Sequence, residues 1–428
     1  MRPEQRVEQR ERWAATFPVH VGVDAGKSFH KLVAAGRNRV RTKAVKVEVS
    51  REGFDKAVTF LQREYPGIRA SETLVGIEFG GHHGYTFAEF LRGLGYVIVT
   101  VPSVVTKRLK EVEDNSPRKD DAKDAAQICK LLGSGLFVRY AVLAPDVAEM
   151  RVLTTERHRL AVEQVRLKNR LQSTLDVDWP EFMSAFANIQ HVTPRTLLRR
   201  WPVARDLAAA AVRSVHVVMR DASRNHFPRE RAAELVATAR ASIAVAGGIA
   251  ARRQEIRRLL ERWDLVATQI EVIEAQLAEL VALHSGARAL GTVPQVGTLC
   301  AATLVAEIGT PDTFESPRQV LKLAGMNLTR KESGTSIHGR VRQTKRGRPL
   351  LRRQLFLLAG RWCQPSGLYR AEYQAMVARN GGRKIAALCA IARRLVPLLL
   401  AVMQRGEAFD LERWQHQRFG GCGPYRAA

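Results

Sequence analysis

A chain of 428 residues, 46% of them hydrophobic, can bury sizeable cores in two or three domains, which excludes disorder as its general state. With 68 Lys and Arg against 42 Asp and Glu its formal charge is +26, and a surplus of that size points to an anionic partner, since cations that neutralise phosphates release condensed counterions. The opening MRPEQRVEQRERWAATF lacks the apolar stretch of a signal peptide and no uncharged apolar run of 18 or more residues follows, so a soluble, cytoplasmic protein with no membrane partner is expected.

From Pro18 onward, VHVGVDAG and KLVAAG are two apolar runs around a Gly-bearing bend, and VRTKAVKVEV alternates with the strand period of two. Three adjacent strands in hairpin order are expected. FDKAVTFLQREY has helical spacing, LVGIEF is a short buried strand, YTFAEFLRGLG is a helix ending at a glycine, and YVIVTV is another strand. The order β-β-β-α-β-α-β-α is that of a ribonuclease-H-like or RuvC-like α/β domain, expected over residues 18–146. In that architecture the first and fourth strands are neighbours, so Asp24 and Glu78 should face each other across one sheet. Asp121 and Asp124 in RKDDAKDA are three apart, hence on one face of a helix starting near Lys119. Four gathered carboxylates repel one another unless they stay in water or share a cation, and hard oxygen donors select Mg²⁺ or Mn²⁺. Such a pocket in a basic chain suits chemistry on a phosphodiester. Lys27, three residues past Asp24, either pairs with a phosphate or is solvated.

Residues 147–285 read as helical. Met150, Leu153, Arg157, Leu160, Leu167, Leu171 and Leu175 keep an approximate three-four spacing, and Ile256, Leu259, Trp263, Val266, Ile270, Ile273, Leu277 and Leu280 keep it strictly, as in the seam of a coiled coil. The two helices could fold back on each other or pair between protomers, and pairing between protomers is the expectation, because cutting two duplexes requires holding two protein copies together. A mainly α-helical carboxy-terminal domain is expected over 286–362, with a helical extension over 363–428. Its ALGTVPQVGTLCAATLVAEIG resembles the second half of a helix-hairpin-helix, whose turn amides could meet a phosphate, although Pro and Gly serve turn geometry alone equally well. TRKESGTSIHGRVRQTKRGRPLLRRQLFLLAGR holds ten Lys or Arg against one Glu and reads as a basic loop braced by an apolar helix. Five cysteines without CxxC spacing argue against a disulfide framework or a zinc site.

Asp24 in GVDAGK, Glu78 in GIEFGGHH and the RKDDAKDA block together resemble the DEDD motif of the insertion-sequence one-ten family of transposases, to which the Piv invertase is also similar. Asp120 takes the place of a customary Thr in the third block and Gly80 that of a Thr after Glu78, while the acids, Ala125, Gly81 and His82 match. VPQVG, AEIG, LAGM, ESG and QTKRG then follow in the family's order, with Gln295 in place of a glycine. The resemblance implies a nucleoid-associated recombinase of the prokaryotic cytoplasm acting on donor and target double-stranded DNA, with Mg²⁺ (or Mn²⁺) on Asp24, Glu78, Asp121 and Asp124 and a serine nucleophile at Ser333. It also implies a structured noncoding guide RNA and a homodimer assembling to a tetramer. Lys27, Lys119, Lys331, Arg340, Arg342, Lys345, Arg346 and Arg348 are the candidate nucleic-acid contacts. By spacing alone Ser333 more often merely shapes a Gly-containing turn, and Ser336 is the other candidate. Two further possibilities are a junction endonuclease that uses water and two metals, and a nucleic-acid scaffold with vestigial acids.

Overall fold

Apolar residues at every second position of VHVGVDA and FHKLVAA make strands with two unlike faces, and the amino-terminal unit grows from them. The computed structural model describes residues 3–38, 40–113, 121–186, 188–329, 332–333, 337–338 and 341–419, and the chain divides into two units, Met1–Val142 and Leu143–Ala428. The first contains α1 (Pro3–Ala14), β1 (Val19–Ala25), β2 (Phe29–Ala35), β3 (Val45–Glu48), α2 (Arg51–Glu64), β4 (Thr73–Phe79), α3 (Tyr85–Gly93), β5 (Val97–Thr100), α4 (Ser103–Glu113), α5 (Asp121–Gly133) and β6 (Val138–Arg139). The strands form one mixed sheet in the order β3-β2-β1-β4-β5-β6, with β4 parallel to β1 and to β5 and the other pairs antiparallel. This is consistent with a ribonuclease-H-like domain, and the first and fourth strands are neighbours as expected.

One sheet face carries Val21, Val23, Leu32, Ala34, Val75 and Ile77, which pack with Phe54 and Leu61 of α2 and Phe87 and Leu91 of α3. The other carries Leu74, which packs with Ile128, Leu131 and Leu132 of α5 and with Ala14. Helix α1, which nothing in the sequence pattern predicts, is almost wholly polar and is anchored by its end. Ala14 is fully buried, the Trp13 ring lies 5.8 Å from that of Phe137, and Arg10 donates to the Phe137 carbonyl.

Helix α5 approaches the sheet unusually closely. A Cβ on Gly22 would lie 2.2 Å from the Ala125 carbonyl oxygen and 2.4 Å from the Cys129 nitrogen, and one on Gly76 would lie 2.6 Å from a Leu132 methyl. Gly22 and Gly76 are register partners on β1 and β4, so together they open a side-chain-free notch that receives the helix.

The second unit contains α6 (Pro145–Asp178), α7 (Phe182–Ala185), α8 (Val192–Arg200), α9 (Ala204–Ala208), α10 (Val212–Ser223), α11 (Arg229–Arg240), α12 (Ile249–Leu283), α13 (Ser285–Gly291), α14 (Thr298–Ile308), α15 (Pro317–Leu323), α16 (Pro349–Trp362), α17 (Arg370–Arg379), α18 (Lys384–Arg405) and α19 (Leu411–Phe419). Ion pairs Arg157–Glu274 (2.6 Å), Glu163–Arg262 (3.1 Å), Arg170–Glu255 (2.9 Å) and Asp178–Arg252 (2.5 Å) run up α6 and down α12, so the two helices are antiparallel partners within one chain. The expectation of pairing between protomers is corrected here. Ile256, Leu259, Trp263, Val266 and Ile270 are buried with Leu167, Leu171 and Leu175 of the same chain, and α7–α11 form the return path.

Beyond that hairpin, Val147 and Met150 of α6 and Ile273, Leu277 and Val281 of α12 enter a second core with α13–α18. Residues after 362, expected as an extension, supply its central helix. Helix α18 is long and apolar enough to cross a membrane by length and composition, and its Ile391, Leu395 and Leu399 are buried in this core. Gln295, in the turn between α13 and α14, has φ 65°, the left-handed value that favours glycine. The turn is fastened by Arg361, which donates to the Gln295 carbonyl at 2.7 Å, and by Trp362 Nε1, which donates to the Pro294 carbonyl at 2.6 Å.

The basic segment is not a plain loop. Leu328–Thr329 (β7) pairs antiparallel with Arg342–Gln343 (β10), and within that span Glu332–Ser333 (β8) pairs with Ile337–His338 (β9).

Two outcomes follow from the notch. Gly22→Ala should destabilise the protein by about 1–3 kcal/mol in chemical denaturation, through overpacking against backbone that has no flexible end to move. Burial pushes the Cys129 thiol up to about 11. In the native protein at pH 8 it stays protonated, so iodoacetamide should leave Cys129 unmodified by mass spectrometry, whereas Gly22→Ala should make it reactive.

Candidate active site

Asp24 and Glu78 are each the penultimate residue of a strand, and β1 and β4 place them as direct register partners. Adjacent strands lie about 4.8 Å apart and paired residues point to the same face, so two half-buried carboxylates stand side by side. That face is the one bearing Gly22 and Gly76. Cys129 Sγ reaches the His20 carbonyl at 3.4 Å and Ala125 lies over Gly22, so α5 runs antiparallel to β1 with about four helical residues spanning two strand residues. One further step along both elements brings the first turn of α5, Asp121 to Asp124, level with Asp24. Asp124 is 8% exposed, whereas the side chain of Asp121 lies outside the described residues.

Across the other edge of β1, Asp24 is paired with Lys31 of β2. A pocket of about 260 Å³ is lined by Asp24, Gly26, Lys27, Ser28, Phe29 and Lys31. Lys27 thus lines the same pocket as Asp24. Lys31 was not singled out in the sequence, although alternation in FHKLVAA places it on one face with Phe29. Below the site, His30 points to the opposite face between Phe54 and Phe87, and burial lowers its pKa, so it is a neutral core residue. His82 and His83 pack against each other in the turn after β4, with tilted rings whose centroids are 4.1 Å apart.

Among the described residues no three His, Cys, Asp or Glu side chains come together closely enough to hold a metal. The Asp24–Glu78 pair with Asp124 nearby nonetheless has the donor chemistry of a hard-cation site, since adjacent like charges are tolerated where a cation neutralises them.

In the second unit, Ser333 lies on β8 opposite Ile337, and its side chain is outside the described residues, as are Lys119, Lys331, Ser336 and Arg340 entirely. Arg342, Lys345 and Arg346 are exposed. Lys345 has φ 55°, and its amide donates to the Gly325 carbonyl at 2.9 Å. Arg348, expected to contact nucleic acid, donates to the Glu307 carbonyl at 2.6 Å and so braces the end of α14.

Residues 21–180 match the family of DEDD transposases of IS110, described as "Transposase", and residues 287–374 match "Transposase IS116/IS110/IS902 family". An insertion element IS110 uncharacterized 43.6 kDa protein of Streptomyces coelicolor is 25% identical over 399 residues, covering 92% of this chain and 95% of its own. An insertion element IS116 uncharacterized 44.8 kDa protein of Streptomyces clavuligerus is 23% identical over 402 residues, covering 91% and 96%. Both matched segments carry the motifs described above, the acids in the first and the basic hairpin in the second, and the chain belongs to the IS110 family of transposases.

Proposed function

We propose that this transposase cuts and rejoins DNA through two groups of residues, a carboxylate set that holds a divalent cation and a serine that joins transiently to the DNA. The observation that supports it best is the register pairing of Asp24 with Glu78 under the first turn of α5. Bound by Asp24, Glu78, Asp124 and Asp121, Mg²⁺ or Mn²⁺ would supply positive charge beside a scissile phosphate. Lys27 adds a cation at the same sheet end, where it can hold a neighbouring phosphate.

Ser333 is the proposed nucleophile. Its oxygen bonds to phosphorus as a strand oxygen leaves, and attack by a strand hydroxyl later reseals the DNA and frees the serine, so the number of phosphodiester linkages is conserved. Arg342, Lys345 and Arg346 on and beside the hairpin hold the DNA backbone against it. Guidance by a noncoding RNA and assembly of dimers into tetramers belong to the same proposal, supported by the family resemblance and by a charge of +26 that suits two nucleic acids at once. The cytoplasm is its proposed place of action.

Incubating the protein with supercoiled donor DNA and Mg²⁺ should yield protein covalently attached to a DNA end. Ser333→Ala should lose that adduct and Ser336→Ala should keep it. Strand cutting that persists in Ser333→Ala would favour a metal-and-water nuclease instead. Asp24→Asn or Glu78→Gln should lower strand cleavage by roughly a hundredfold or more, the value of several kcal/mol of charge stabilisation. Unchanged strand cleavage in both would remove these acids from the reaction, and no strand cleavage by the wild type would leave only a nucleic-acid scaffold. Nucleic acid extracted from the purified protein should contain a discrete RNA of one size, and a polydisperse mixture would count against guidance.

A further inference from the structure

The exposed part of the sheet face beside the carboxylates is not explained by metal binding or by the basic hairpin. Register places Lys31 of β2 against Asp24 on one side and against Lys46 of β3 on the other, with Phe29 and Glu48 as the next pair on the same face. Both lysines reach over the Phe29 ring, with Lys46 Nζ 5.1 Å and Lys31 Nζ 5.6 Å from its centroid. Phe29 and Lys31 also line the pocket that contains Asp24 and Lys27. Phe29 is half-buried at the end of β2 and is not among the residues packed on either core of this unit, whereas Val33 further along the same face is buried.

An aromatic ring flanked by cations, on a sheet face running into an acid pair, is the combination that binds an unpaired nucleotide. The ring supplies a stacking surface for any base, and the lysines neutralise the phosphates on either side. From this geometry we infer that β2 and β3 form a platform for single-stranded DNA, with a base on Phe29 and flanking phosphates on Lys27, Lys31 and Lys46. The inference rests on the proposed DNA cleavage at Asp24 and Glu78, and it specifies that the strand next to the scissile phosphate is unpaired there. The lysines rest against the ring in cation–π contact, and their flexible stems let them swing onto phosphates as a base replaces them. Lys46 also lies 3.6 Å from Glu48, an exposed pair that costs little to open.

The test uses the full-length protein in EDTA, so that no strand is cut. Its probe is a single-stranded DNA oligonucleotide carrying 2-aminopurine, run beside the duplex and the RNA of the same sequence. Wild type should bind the single strand and quench the 2-aminopurine. Phe29→Leu should weaken that binding by roughly five- to hundredfold, the range for losing one base–aromatic stack. Duplex binding should be unchanged, and Phe29→Trp should retain single-strand binding and quenching, which separates stacking from misfolding. Lys31→Gln and Lys46→Gln should each reduce the slope of log affinity against log salt by about 0.7. Single-strand binding by Phe29→Leu equal to wild type overturns the platform, as does an equal loss on duplex and single strand. Binding of the RNA strand alone overturns its assignment to DNA. If wild type binds the strand and, in a separate assay with Mg²⁺, Asp24→Asn abolishes cleavage while Phe29→Leu changes neither, only the platform fails. If wild type binds no nucleic acid either in EDTA or with Mg²⁺, the proposed function falls with it.

Discussion

Close approach of α5 to the sheet at Gly22 and Gly76 sets the height of everything above it. Two register-paired glycines let a helix settle where any Cβ would strike the Ala125 carbonyl or the Leu132 side chain. The same two strands carry Asp24 and Glu78 two residues further on, and the same helix carries Asp124 one residue before Ala125. Raising the helix by the thickness of a methyl group would move its first turn off the acid pair. The parallel pairing of β1 with β4 is equally necessary, because it brings two strand ends, far apart in sequence, to one edge with their carboxylates on one face.

A different constraint organises the second unit. Helices α6 and α12 thread both of its cores, so their relative register decides how α7–α11 at one end and α13–α18 at the other are positioned. Exposed ion pairs such as Arg170–Glu255 contribute little energy but discriminate between registers. Asp178 is different, because its side chain is 2% exposed and its pairing with Arg252 compensates a buried charge. The turn between α13 and α14 keeps its shape despite Gln295 at a left-handed position, because two donors from the end of α16 hold its carbonyls.

Much of the first unit was legible in the sequence, and for definite reasons. Strand alternation and element order put Asp24 and Glu78 on neighbouring strands, and a spacing of three put Asp121 and Asp124 on one helix. Helix α1 was hidden because its polar sequence has only Trp13 and Ala14 to anchor it. The strict seam of α12 revealed that the helix has a partner but carried no sign of which chain supplies it. The β7–β10 and β8–β9 pairs were masked by a run of cations with no apolar alternation, leaving a loop as the natural expectation. Lys31 became visible as the neighbour of Asp24 only through strand register, which a single sequence does not specify.

The proposed chemistry requires that sheet and helix together build one cation site. A Mn²⁺ titration of the intact protein followed by electron paramagnetic resonance tests it without needing a DNA substrate. Saturable Mn²⁺ binding that is lost in Asp24→Asn and in Glu78→Gln, and weakened in Gly22→Ala where the acids themselves are untouched, is the expected result. Mn²⁺ binding of equal strength in wild type and in both acid variants would contradict it.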